Sequence, residues 1–288
     1  MKMDKYQVLK DHFGYDSFKP GQEQLIDSLL GGRDTLGVMP TGAGKSVCFQ
    51  VPALALPGLT VVVTPLIALM KDQVDHLRSR GINAVAVYSG MSREEIVVTL
   101  ENCIFGNVKL LYVSPERLYS DLFQNKLRKM RVSFITVDEA HCISQWGYDF
   151  RPAYLEIAKI RDILSSSIRR QAAAPIPILA LTATATPKVV DDIQERLLFS
   201  EKNVIGMSFA RDNLAYVVRH TSDKMEELVH ILSVYPHCAI VYVRSRKRCK
   251  EIAEFLNKNL SPALPKGGGP VATYYHAGLE PVVKEQRQ

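Results

Sequence analysis

Met39-Pro40-Thr41-Gly42-Ala43-Gly44-Lys45-Ser46 follows a short apolar, strand-like run, and the reading of this stretch decides the fold. Glycines let a backbone curl so that successive N–H groups point at phosphate oxygens. A lysine then reaches the β- and γ-phosphates, and a serine hydroxyl holds Mg²⁺. Gly42, Gly44, Lys45 and Ser46 supply those parts, with Thr41 and Ala43 completing the cradle. The regular pattern G-x-x-x-x-G-K-[ST] fails at its first place, where Met39 stands. The bland alternative is a glycine-rich strand-to-helix turn that happens to contain a lysine.

A second stretch weighs against that alternative. Asp138-Glu139-Ala140-His141 closes the apolar run Phe134-Ile135-Thr136-Val137 about ninety residues later. An acidic pair at a strand end is often only a cap. Delivered by an apolar strand behind a phosphate loop, it acquires chemistry: Asp138 reaches the metal through water and Glu139 activates the attacking water. The catalytic candidates are Lys45, Asp138 and Glu139. The cofactors are ATP and Mg²⁺, with Ser46 and Asp138 on the metal.

The surroundings are those of an α/β fold. Thr60–Thr64, Lys109–Val113, Phe134–Asp138 and Ile178–Thr182 are short β-branched runs between helical stretches. Runs of this kind read as strands buried on both faces. Their alternation with helices predicts a mostly parallel sheet with right-handed crossovers, whose loops gather at the strand C-terminal ends. The pattern changes around Asn203 to Asn213. A second series follows, with a strand at Cys238–Val243, a helix from about Arg246 to Asn259 and a strand at Val271–Tyr275. The expected domains are therefore 1–206 and 207–288, and Ser261–Pro270 reads as a surface loop.

Composition excludes more than it assigns. In 288 residues, 36 Lys and Arg against 30 Asp and Glu give a formal charge of +6, which suits a phosphate-rich partner but is common on solvated surfaces. Cys48, Cys103, Cys142, Cys238 and Cys249 are scattered, without metal-site spacing, and read as small buried hydrophobes. No apolar run reaches membrane-spanning length, and charges at Lys2, Asp4 and Lys5 leave no leader-like segment at the start. A reducing cytosolic setting fits both observations.

Taken together, the loop, the Asp138–His141 box and Thr182-Ala183-Thr184 resemble a superfamily 2 helicase, and in detail the RecQ family of DNA helicases. The resemblance implies a P-loop NTPase with a RecA-like parallel sheet and helices on both faces, followed by an incomplete second RecA-like domain. Phe13-Gly14-Tyr15 and Phe18-Lys19-Pro20-Gly21-Gln22 resemble the family's element ahead of the loop. By that resemblance Tyr15 and Lys19 sandwich adenine and Gln22 reads its edge. Lys19 stands where the family usually has Arg, and an ammonium stacks less well on a purine than a guanidinium does.

Thr64–Gln73 and Tyr112–Leu118 resemble strand-grasping motifs, which hold phosphates without reading sequence. Ala140–Tyr154, with the sole Trp, resembles the family's aromatic-rich loop. There Trp146, Phe150 and Arg151 can stack on or clamp unpaired bases, while His141, Thr182 and Thr184 couple the strand to hydrolysis. The alternative for Trp146, Phe150 and Tyr154 is a local core patch. Phe209–Leu214, with Arg211 and Asn213, resembles the junction element, and Tyr242, Ser245, Arg246 and Tyr275–Leu279 resemble the start of the second motor domain.

The resemblance implies ATP-dependent 3′-to-5′ unwinding in DNA repair, recombination or replication. The implied partners are single-stranded DNA and forked duplexes, with no membrane, a monomeric state, and the bacterial cytoplasm or nucleoid as the setting. The sequence ends inside an expected helix, and the family's later motifs, including arginines that reach the γ-phosphate, are not in it. The expectation is thus a C-terminally truncated chain that binds ATP and DNA but hydrolyses slowly and unwinds poorly or not at all. Two other readings remain open. One is an RNA helicase of the DEAD-box type, against which the closing His141 and the Trp146 segment argue; the other is a non-catalytic nucleic-acid-binding fragment.

Overall fold

The computed structural model describes residues 3–147, 149–165, 175–210, 213–235, 237–260 and 271–287. It divides into two compact units, Met1–Arg211 and Asp212–Gln288.

The first unit is built on seven strands: β1 (Thr35–Val38), β2 (Leu59–Val63), β3 (Ala84–Val87), β4 (Leu110–Val113), β5 (Val132–Val137), β6 (Ile178–Thr182) and β7 (Val204–Gly206). They lie in the order β3-β4-β2-β5-β6-β1-β7, and every recorded pairing is parallel. The RecA-like sheet expected from the sequence is therefore present, extended by β3 and β7, which the sequence reading passed over. Ala84–Val87 is only four residues long and Val204–Gly206 three, too short for their periodicity to stand out.

Alternation along each strand sends side chains into two cores, one on each face. Leu111, Val113, Ile135 and Val137 pack under the helices Arg93–Phe105, Glu156–Ser165 and Pro187–Arg196. Leu110, Tyr112, Phe134 and Leu181 pack under Gln22–Leu30, Lys45–Ala55 and Ile67–Ser79. Burial on both faces explains why these strands read as continuous apolar runs. In a parallel sheet all the C-terminal strand ends lie along one edge, so Met39, Thr64, Asp138 and Thr182 reach the same edge without further design.

In the second unit the helix Arg246–Asn259 forms as expected, with the Ser245 hydroxyl accepting from the Arg248 N–H. The two flanking strands do not. Cys238–Val243 and Val271–Tyr275 have no ladder, and Ile240 and Tyr242 are 77% and 90% exposed. An apolar β-branched run becomes a strand only where a neighbouring backbone meets its N–H and C=O groups. At Ala272 that place is taken by the Asn257 side chain, whose Oδ1 accepts from the backbone N–H and whose Nδ2 donates to the carbonyl, each at 2.9 Å. The expected Ser261–Pro270 loop lies outside the described residues.

The cysteines also divide. Cys48, Cys103 and Cys142 are buried, whereas Cys238 is exposed and Cys249 half-buried, a correction that follows from the open backbone on which Cys238 sits. Among the described residues no helix is long and apolar enough to cross a membrane.

Candidate nucleotide-binding site

The loop leaves β1 at Met39, whose N–H donates to the Thr182 carbonyl at 2.9 Å, and enters the helix Lys45–Ala55 through Gly44. Gly44 stands at φ 81° and Gly42 at φ 83°, the left-handed region that costs other residues energy. A Cβ on Gly44 would also lie 2.5 Å from Gln22 Nε2. Both glycines are thus required by the curl, and the first N–H groups of the helix point into it as an anion site.

Gln22 is almost wholly buried and does something the sequence did not disclose. Its Nε2 donates to the carbonyls of Ala43 and Gly44 at 3.1 and 3.0 Å, and its Oε1 accepts from the Lys19 N–H at 2.9 Å. The residue expected to read adenine therefore also fixes the phosphate loop, joining it to the segment carrying Lys19. Tyr15 is 51% exposed and Lys19 is exposed, both open to a ligand.

The acidic pair follows β5. Glu139 sits at φ 47°, ψ 46°, a left-handed conformation that is uncommon outside glycine and that here turns the chain from the strand into the short helical turn Ala140–Ile143. Its N–H donates to Asp138 Oδ1 at 3.0 Å. The Asp138 carboxyl is pushed up to about 6, chiefly by burial and then by the Glu139 carboxylate, with the Glu139 N–H and the Lys45 ammonium pulling the other way. A half-buried carboxylate whose charge is penalised in this way is a site that gains from a cation. With the glycine curl, Lys45 and Ser46 beside it, the residues present fit an ATP–Mg²⁺ complex.

His141 joins the box to β6. Its Nδ1 lies 3.0 Å from Thr182 Oγ1 and 3.4 Å from Glu139 Oε2. Thr182 Oγ1 in turn accepts from the Thr184 N–H at 3.3 Å. Burial pushes the thiol of the neighbouring Cys142 up to about 12.

The aromatic string separates into different roles. Trp146 is 62% exposed and Phe150 half-buried, but Tyr154 is fully buried, its hydroxyl donating to the Asp138 carbonyl at 3.0 Å. Tyr154 is the core residue of the alternative reading and it supports the acidic pair from behind. Arg151 is held by Asp149 through two contacts to Oδ2 at 3.1 and 3.0 Å. Arg211 lies outside the described residues, as does Tyr148.

Because the acidic box after β5 is tied through the His141 imidazole to Thr182 at the end of β6, the strand end that also accepts from the Met39 N–H at the start of the glycine loop, the arrangement is that of a P-loop motor of the helicase class. Residues 19–193 match the DEAD/DEAH box helicase family, and the chain belongs to it. It is similar to ATP-dependent DNA helicase RecQ of Haemophilus influenzae, 41% identical over 98% of this chain and 43% of that protein. ATP-dependent DNA helicase RecQ of Bacillus subtilis is also 41% identical, over 98% of this chain and 45% of its own length. The chain spans less than half the length of these curated relatives. Among solved structures the DUF1998 helicase MrfA superposes with a TM-score of 0.69 at 15% identity, covering 93% of this chain and 42% of that one. A hypothetical ATP-dependent RNA helicase from Sulfolobus tokodaii gives 0.52 at 20% identity, covering 87% and 71%. At those identities the likeness is one of fold.

Proposed function

We propose that this chain is the ATP-binding portion of a RecQ-type DNA helicase that moves 3′ to 5′ along single-stranded DNA and opens forked duplexes. The observation that carries the reading is the His141–Thr182 contact beside the loop, on a chain 41% identical to ATP-dependent DNA helicases. Gly42, Ala43, Gly44 and Thr41 cradle the phosphates, Lys45 meets the β- and γ-oxygens, and Ser46 and Asp138 hold the metal. Bound Mg²⁺ neutralises phosphate charge and orients the γ-phosphoryl group. Glu139 takes the proton of the attacking water. Tyr15, Lys19 and Gln22 hold the adenine.

Trp146, Phe150 and Arg151 engage the strand, and His141, Thr182 and Thr184 carry its presence to Glu139. In this proposal residues 1–206 form the first motor domain and 207–288 the beginning of the second, in a monomeric cytoplasmic protein. The isolated polypeptide of these 288 residues binds ATP and DNA, turns ATP over slowly and does not unwind. Slow turnover is expected wherever no arginine stabilises the phosphoryl-transfer transition state, a contribution worth about 10³ to 10⁵ in rate.

Titration of the purified chain with equal-length single-stranded DNA and RNA, with and without ATP–Mg²⁺, tests this reading. Binding of DNA at least as tight as that of RNA is expected, since a base-stacking site does not depend on the 2′-hydroxyl. Preference for RNA would replace the DNA reading by the RNA-helicase one. Robust unwinding of a fork by this polypeptide would overturn the statement about its activity.

A further inference from the structure

Trp146 is the sole Trp and is largely exposed, yet one face of its ring is taken. Lys188 Nζ lies 3.1 Å from the ring centroid, directly over the π-face. Lys188 is exposed and stands at the second position of the helix Pro187–Arg196, just after Thr186, whose hydroxyl caps that helix by accepting from the Val189 N–H. The contact therefore links the aromatic loop to the element that follows Thr182 and Thr184. At the other end of the same loop His141 reaches Thr182. Two tethers, one imidazole and one ammonium, join the loop to the β6 side of the site.

We infer that Lys188 caps Trp146, occupying the face on which an unpaired base would stack, so that the strand must displace the ammonium to use the platform. The inference rests on the proposed strand-binding role of Trp146. Cation–π attraction and base stacking compete for one ring face. A displaced ammonium is not wasted beside a strand, because phosphates draw it outward. Stacking and release of the tether to the helix Pro187–Arg196 are then one event, which gives the loop two positions, one with and one without a strand. Lys188 is a positioning residue in this scheme.

Because Trp146 is the only indole, its emission reports the contact without labelling. Lys188→Ala, Lys188→Arg and the unmutated chain are compared first alone and then in titration with a dT oligonucleotide. Lys188→Ala alone should change Trp146 emission, whereas Lys188→Arg, which keeps a cation over the ring, should not. Lys188→Ala should then bind the oligonucleotide about two- to fivefold more tightly, the span that loss of one exposed cation–π contact supports. Unchanged emission in Lys188→Ala would overturn the cap. Altered emission with equal or weaker binding would overturn the competition and make Lys188 an ordinary phosphate ligand. Failure of all three proteins to bind dT would overturn the strand-binding reading itself, and the gating with it.

Discussion

His141 Nδ1 stands 3.0 Å from the hydroxyl of Thr182, so the loop that follows β5 and the end of β6 share one hydrogen bond beside the acidic pair. Thr182 is fully buried, and the same hydroxyl accepts from the Thr184 N–H. Thr182→Val keeps the volume and removes the hydroxyl. Single-turnover hydrolysis by Thr182→Val, measured with and without single-stranded DNA, should show a basal rate within a few-fold of the unmutated chain and no acceleration by DNA. Intact acceleration would show that coupling runs elsewhere.

Lys45 and Glu139 should separate binding from chemistry. Lys45→Ala deletes the charged donor proposed for the β/γ-phosphates and should weaken ATP binding by at least about 100-fold in calorimetric titration. Glu139→Gln retains shape and polarity but cannot take a proton. ATP should bind it normally, while the single-turnover rate falls by about 10²- to 10⁴-fold. If Glu139→Gln also loses ATP affinity, Glu139 is a ligand and not the base.

Asp138 gives a prediction in pH. Its folded pKa of about 6 lies above the ordinary 3.8, so the folded chain holds this proton more tightly than the unfolded one. A raised acid contributes stability when protonated and loses it as pH rises from about 4 through 6. Asp138→Asn removes the penalty while keeping an oxygen for the Glu139 N–H. Thermal melts should find it more stable than the unmutated chain by on the order of 2 kcal/mol at pH 7.5 and no different at pH 4. The same substitution should abolish Mg²⁺-dependent ATP binding, which is the trade expected where a strained group serves function. Equal stability of the two proteins at pH 7.5 would contradict the raised pKa of Asp138.

What could be read in the sequence follows from what parallel sheets do to strand ends. Gly42–Ser46, Asp138–His141 and Thr182–Thr184 each close an apolar run, and in a parallel sheet closing a run is enough to place a residue at the functional edge. The helix Arg246–Asn259 was also legible in the sequence, and the structure adds its Ser245 cap. Contacts between distant side chains were not. The Gln22 amide on the loop carbonyls and the ammonium over Trp146 depend on how helices cross the sheet, and no local pattern encodes that. The expected strands around Tyr242 and Tyr274 failed because propensity describes a run, whereas a strand requires a partner.

The opposite end of the sheet carries a polar group for which no motif exists. Asp34 is 3% exposed, just ahead of β1. Its Oδ2 accepts from Arg161 Nη2 at 2.9 Å and from the Ser200 N–H at 3.1 Å, and its Oδ1 accepts from the Ile178 N–H at 2.9 Å. Arg161 also donates to the carbonyl of Leu198, a residue held at φ 53°. The group thus joins the starts of β1 and β6 to the turn before β7. Removing one partner of a buried pair leaves the other charge uncompensated, which typically costs about 3–5 kcal/mol. Asp34→Ala should lower stability by that amount in urea unfolding. Replacing both Asp34 and Arg161 by Leu should cost less than Asp34→Ala alone, because no buried charge then remains. ATP affinity per folded molecule should be unchanged in either variant, since the phosphate loop lies at the other end of β1. A double replacement costing more than Asp34→Ala would mean that the geometry of the hydrogen bonds, and not the charge, holds the strand starts together.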